Sequence, residues 1–451
     1  MVRNELRAVG ADAMIVTALD EVAWLLNVRG RDLPYARLLK AFVLVSLREM
    51  KVFVPPGKLS VHVRDALAVF NCYTNNCTKV NDYTSIYSEL RRTTESKVLI
   101  PAAGTFQRGA SAAIAQSLAP AKRMFLLSPI IYLKAQKNEA EIKGMKKAHL
   151  RDAVAMCTLL SYLEAILLKI RTVDLTRDTQ AGYVGPAMKT RVAYGANAAD
   201  PDYRATNATD KLIFKNATLV IQSGGQYNEG TTVVTRTVHY GAGSRGERRA
   251  YTTVLRAVAA LASLRLPAAL PAAHADPVTR APLWAANQDY PHPTGHGVGA
   301  FGFVDGTGQM YTNLHTFREG YFITAEPGWY EPGKYGVRLG NIFEVISKPY
   351  SYFGFREATL IPYEPKLIDK SMLTEYEIKW LNGYNERIRK EVGPELKARE
   401  LTDVYYWMMN KTIPIELPSS RKLTSNSADP CKTVWEITAV ILALIVTQAN
   451  V

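Results

Sequence analysis

Short apolar and β-branched runs recur through the first 130 residues, at Ala13 to Thr17, Ala41 to Leu47, Lys51 to Val54 and Lys97 to Ile100, with amphipathic stretches between them. Runs of that length bounded by turn signals predict strands, and their alternation with helical stretches predicts an α/β domain over residues 1–130. Pro55-Pro56-Gly57 and Pro101 punctuate strand ends. Ser128 to Lys134 reads as an extended linker. From Asn138 the period changes: Ile142, Met145, Met156, Leu159, Leu160 and Leu163 recur at helical spacing, which predicts one long helix to about Ile170.

Further on, Leu219 to Ser223, Thr232 to Val238, Tyr321 to Glu326 and Val337 to Val345 read as strands of a curved antiparallel sheet, with Ala250 to Leu264 as a covering helix. The chain thus divides into an α/β domain (1–130), an α+β domain (131–415) and a tail (416–451). A length of 451 residues with 47% hydrophobic content accommodates this. The net charge of +14 raises nucleic acid as a partner. The basic residues are scattered, however, and the densest runs, Arg245 to Arg249 and Arg387 to Lys390, read as solvated faces, so no nucleic-acid role is expected.

Four ordered blocks carry the chemistry: Gln222-Ser-Gly-Gly-Gln-Tyr227, Thr231-Thr-Val-Val-Thr-Arg-Thr237, Pro293-Thr-Gly-His-Gly-Val-Gly299 with Ala325-Glu-Pro-Gly-Trp-Tyr330, and Gly336-Val-Arg-Leu-Gly-Asn341. In order and spacing they resemble the metal-dependent pita-bread peptidases, and within these the Xaa-Pro aminopeptidases (aminopeptidase P). Thr17 to Gly30 resembles the family's creatinase-like domain that precedes the pita-bread domain. The resemblance implies removal of the N-terminal residue from peptides with proline second, by a site holding two manganese or zinc ions, and a homodimer. Two dications a few ångströms apart need several anionic oxygens to offset their repulsion.

The resemblance also implies where those ligands fall. The family's two Asp land on Gln222 and Val233, its His on His296, its first Glu on Glu326 and its last Glu on Gly340. One carboxylate remains of four, and neither Glu344 nor Glu229 is placed to substitute. Of the family's further imidazoles, His292 is kept, while Asp202 and Asp305 stand where two others would be. Arg338 is retained and is expected to brace the site. The expectation is an aminopeptidase P-like protein impaired in catalysis, holding no metal or one weakly bound ion. The alternative is a non-catalytic peptide- or protein-binding module on the same fold. A third reading is residual one-metal hydrolysis through His296 and Glu326.

Compartment signals conflict. Cys72 and Cys77 are close enough for a small-loop disulfide, with two free thiols as the other reading, and Cys157 lies on an apolar helix face. Asn76, Asn207, Asn216 and Asn410 open glycosylation sequons. Small residues Ser425 to Ala428, a polar spacer and the apolar run Ile437 to Val446 have the form of a glycosylphosphatidylinositol signal. These predict an extracellular or cell-surface, lipid-anchored protein. Met1-Val-Arg-Asn-Glu-Leu-Arg7 shows no secretory leader, which is read either as a truncated chain or as a cytoplasmic product.

Overall fold

Strands that are apolar on both faces need cover on both sides, and residues up to about 135 supply it. The computed structural model describes residues 1–69, 78–104, 109–166, 175–302 and 315–417. Strands β1 (Ala13–Val16), β2 (Phe42–Ser46), β3 (Met50–Val54), β4 (Thr78–Asp82), β5 (Val98–Pro101) and β6 (Arg123–Leu126) form one mixed sheet in the order β4-β3-β2-β1-β5-β6. Alternation along β1 sends Met14 and Val16 to one core, with Val43, Val45 and Val52, and Ala13 and Ile15 to the other, with Leu44, Phe53, Val98 and Ile100. Leu6, Val22 and Leu26 from helices Val2–Ala8 and Leu19–Leu26 close the first core. Ile86, Leu90 and Ile114 from helices Ile86–Arg92 and Ala112–Gln116 close the second.

The four strands read from sequence are β1, β2, β3 and β5. The sheet's two edges, β4 and β6, were not legible, because an edge strand can leave one face to solvent and lacks the apolar run of a central one. The expected linker is instead a helix, Ile130–Ala135. Ile130 and Ile131 are buried, Lys134 pairs with Asp20 at 2.5 Å, and Ser128 Oγ donates to Glu21 at 2.7 Å, so this segment is docked rather than extended.

The long helix runs from Glu139 to Ile166. Beyond it lie β7 (Tyr183–Pro186), β8 (Arg191–Tyr194), β9 (Leu219–Ser223), β10 (Gly225–Tyr227), β11 (Val234–Val238), β12 (Leu266–Pro267), β13 (Phe322–Ala325), β14 (Gly328–Glu331), β15 (Tyr335–Arg338), β16 (Asn341–Lys348) and β17 (Tyr352–Glu357). Their pairings are antiparallel: β11-β9-β8, β12-β17-β16-β13, and the ribbons β10-β7 and β14-β15. Helices Arg245–Ala262 and Glu375–Ala398 cover the sheets, each started by a capping box, Ser244 with Glu247 and Thr374 with Glu377.

The single strand expected over Val337 to Val345 is broken into β15 and β16. Leu339 N donates to Pro327 O at 3.2 Å, and Gly340 exchanges both backbone hydrogen bonds with Thr235, at 2.9 and 3.2 Å. The break therefore ties β11 to the β16 sheet at Gly340. Arg236, with no solvent exposure, locks this seam: it donates to the carbonyls of Gly340, Ile361 and Pro362 and to Asn341 Oδ1, and lies 4.6 Å from the Tyr363 ring centroid.

Candidate active site

Strand register brings the distant motifs to one face. Gln222 on β9 is opposite Thr235 on β11, and Thr235 is bridged to Gly340. The side chains of Gln222, Thr235 and any residue at 340 therefore share a face, with Val233 two residues before Thr235. The segment Thr294 to Val298 runs along β13: Glu326 N donates to Thr294 O at 2.7 Å, Thr324 N to His296 O at 2.8 Å and Val298 N to Phe322 O at 2.8 Å. Gly295 permits that approach, since a Cβ there would sit 1.8 Å from Thr324 O.

Glu326 is the centre of this face and is 2% exposed. Its Oε2 accepts from Arg338 Nη2 at 2.8 Å and from Gln222 Nε2 at 2.9 Å. A carboxylate only accepts, so Gln222 must turn its amide NH2, not its carbonyl oxygen, toward Glu326. His296 Nε2 lies 3.4 Å from Glu326 Oε1, and its Nδ1 donates to Gly297 O at 2.9 Å. Burial pushes the Glu326 carboxyl upward, but the guanidinium of Arg338 and the His296 contact outweigh it and hold the group well below the usual carboxylate range. Burial pushes Arg338 down, and Glu326 more than reverses this, so its affinity for the proton is raised.

His292 stands beside this cluster. Its Nε2 meets the Tyr330 hydroxyl at 2.8 Å, its ring stacks on Tyr290 at 5.0 Å, and Arg280 donates to its carbonyl at 2.9 Å. Burial first, and the positive charge of Arg338 second, lower the imidazole to about 4. The ring is therefore neutral near pH 7. Burial pushes the Tyr330 phenol up to about 12. Tyr330 was not singled out as His292's partner from sequence, although it closes one of the motifs.

The other predicted positions are dispersed. Val233 packs with Met145, Val298, Phe322 and Ile342 in a dry cluster. Asp202 sits on the rim with a 91% exposed side chain, 3.7 Å from Arg191. Glu344 pairs with Lys146 at 2.9 Å, and Glu229 with Lys147 and Arg151, both at 3.2 Å, so neither reaches Glu326. Asn207, Asn216 and Asn410 are exposed, and Cys157 is buried. Asp305, Cys72, Cys77, Asn76 and the tail beyond residue 417 lie outside the described residues.

A pair of divalent ions does not fit the side chains that are present. Glu326 Oε2 is taken up by two protein donors, Val233 is apolar, and a Cβ at Gly340 would meet Thr235 Oγ1 at 2.9 Å and Thr235 Cβ at 3.0 Å. Among the described residues, no group of three or more His, Cys, Asp or Glu side chains is placed to hold a metal ion. No helix among them is long and apolar enough to cross a membrane.

Comparison with known proteins agrees with the order of the domains. Residues 1–141 match the creatinase/prolidase N-terminal domain, residues 143–347 metallopeptidase family M24 and residues 351–415 the C-terminal region of that peptidase family. Xaa-Pro aminopeptidase 1 of Dictyostelium discoideum is 32% identical over 92% of this chain and 68% of its own length. Xaa-Pro aminopeptidase 2 of Sus scrofa is 33% identical over 94% of this chain and 64% of its own length. The crystal structure of X-prolyl aminopeptidase from Caenorhabditis elegans, described as a cytosolic enzyme with a di-nuclear active site, superposes with a TM-score of 0.84 at 32% identity, covering 92% of this chain and 69% of that one. Prolidase from Pyrococcus furiosus shares the fold, with a TM-score of 0.62 at 20% identity. The chain spans about two thirds of the length of the aminopeptidases it matches. With its creatinase-like domain followed by a pita-bread domain, it belongs to metallopeptidase family M24, in the Xaa-Pro aminopeptidase branch.

Proposed function

We propose that this chain is an aminopeptidase P-like protein that takes peptides with proline in second position but does not hydrolyse them through a dinuclear metal centre. One observation carries the reading: the Glu326 carboxylate is neutralised by Arg338 at 2.8 Å, and the same oxygen accepts a hydrogen bond from the Gln222 amide at 2.9 Å. A peptidase needs an activated water and a proton donor for the leaving amine. The positions assigned to the first by resemblance carry Gln222, Val233 and Gly340. Of the proton-handling group His292 remains, and it is held neutral near pH 7.

In this reading His296 and Glu326 are the relics of the ligand set, the retained Arg338 supplies the positive charge that faces Glu326, and His292 with Tyr330 presents a polar wall to the bound peptide. The domain limits are taken at residues 130 and 415. The protein is assigned to the cytoplasm, the compartment stated for the Caenorhabditis elegans relative, rather than to a lipid-anchored surface position.

The test is cleavage of a short Xaa-Pro peptide followed by mass spectrometry, with and without added manganese. No released N-terminal residue is expected in either case, and manganese-dependent release overturns the reading. His296 Nε2 facing Glu326 Oε1 at 3.4 Å favours, as a second reading, one ion held between them. That reading requires a manganese-dependent activity that His296→Ala removes.

A further inference from the structure

Between the two family domains lies a cavity of about 560 Å³, within the range of small-ligand sites. Its walls bring together Arg29, Arg31 and Arg37 from the loop after helix Leu19–Leu26, and Tyr183 and Phe301 from the pita-bread side. Among the described residues Asp178 is the one acid on its lining, against three guanidinium groups, with Glu141 acting on Arg29 from outside it.

Two of these arginines are set in place by neutral groups. Arg29 Nη1 donates to Ala23 O at 2.7 Å, and its guanidinium lies 4.3 Å from the Phe301 ring centroid. Arg37 donates to Val184 O on β7. Among the described residues none of the three forms an ion pair with a carboxylate, and Arg31 has no hydrogen-bond partner. Guanidinium groups fixed by carbonyls and an aromatic face keep their remaining N–H donors free, and planar forks of that kind match a carboxylate or phosphate.

The cavity also has a position relative to Glu326. A second, smaller space shares Arg31 and Arg37 and reaches Gln226. Gln226 is four residues along the chain from Gln222, whose amide binds Glu326. At ~3.3–3.6 Å per residue that contour is at most about 14 Å, the reach of roughly four extended residues. Gln226, at the edge of the smaller space, therefore lies within that distance of Gln222.

We propose that this cavity is a carboxylate-binding site for the C-terminal end of a short peptide, with Arg31 and Arg37 as its charged contacts. The proposal rests on the reading that the groove binds peptides and names which ones: short peptides with a free C-terminal carboxylate.

The test is calorimetric binding of an Xaa-Pro pentapeptide as its free acid and as its C-terminal amide, with chelator present so that hydrolysis does not enter. The whole chain is compared with Arg31→Gln, which breaks no hydrogen bond or ion pair among the described residues, and inorganic phosphate is run as a competitor. The free acid is expected to bind at least five-fold more tightly than the amide, with the difference lost in Arg31→Gln and reduced by salt. Equal affinities for acid and amide overturn the carboxylate site while leaving peptide binding intact. No binding of either peptide overturns both. Phosphate that binds at micromolar concentration and displaces the peptide would assign the arginines to a phosphate ligand and overturn the peptide assignment.

Discussion

Replacing Arg338 by Met removes a charge while keeping most of the side chain's length. In the folded protein Glu326 is 2% exposed, and Arg338 at 2.8 Å is its cationic partner of fixed charge. Breaking one side of a buried ion pair costs about 3–5 kcal/mol, because the remaining charge stays desolvated. Gln222 and His296 still face the carboxylate, and the Arg338 side chain is 15% exposed, so the lower end applies, about 3 kcal/mol at pH 7.5. The loss depends on pH in a defined direction. In the unaltered protein the Glu326 carboxyl is depressed, so its stabilisation is fully present above the unfolded value of about 4.3 and is lost as pH falls below it. In Arg338→Met the strongest group opposing burial is gone, so the same carboxyl moves up and takes its proton at a higher pH than in the unaltered protein. The difference between the two proteins should therefore shrink to about 1 kcal/mol at pH 4. Urea unfolding at both pH values measures it. A difference below about 1 kcal/mol at pH 7.5, or one that grows on acidification, would refute the idea that Arg338 is what neutralises Glu326.

His292 remains neutral down to about 4 in the folded protein against 6.5 unfolded, so the unfolded chain binds more protons in that window and stability falls by about 3 kcal/mol as pH drops through it; His292→Asn should flatten that segment of a stability-against-pH curve. Gly340→Glu places a Cβ 2.9 Å from Thr235 Oγ1 and 3.0 Å from Thr235 Cβ, and a loss of about 1–3 kcal/mol in urea unfolding is expected. Arg236→Met leaves the Pro362 carbonyl without its donor and takes one donor each from the Gly340 and Ile361 carbonyls, which keep Thr235 N and the Tyr384 hydroxyl, and should cost about 3 kcal/mol, seen as a lowered Tm. Cys157 is buried with its thiol pushed up to about 12, so an aromatic disulfide reagent should react with it only after unfolding.

Much of this fold was legible because its signals are local. The strands at Ala13, Phe42, Met50 and Val98 are apolar on both faces, and the helix from Glu139 repeats at helical spacing. What escaped depends on tertiary partners. The helix Ile130–Ala135 is held by Asp20 and Glu21, more than 100 residues away, and the break at Leu339-Gly340 exists because Thr235 on another strand takes both of Gly340's backbone hydrogen bonds. The ligand positions, and with them the missing carboxylates at Gln222, Val233 and Gly340, are assigned by resemblance alone. The replacement chemistry could not be read that way. Nothing in the sequence says that Gln222 turns its amide toward Glu326, that Arg338 reaches the same oxygen, or that His292 is held by Tyr330 and Tyr290. The two contacts to Glu326 join residues 12 and 104 positions apart and emerge only from strand register.

The central claim is that protein groups, not metal ions, satisfy the Glu326 face. Metal content of the purified chain after exposure to excess manganese and removal of free ion, read by elemental mass spectrometry, addresses it most directly. Substoichiometric manganese, unchanged in Glu326→Gln, is the predicted result. Two ions per chain, lost in Glu326→Gln, would contradict it and mean that the Arg338 and Gln222 contacts give way to a working dinuclear site.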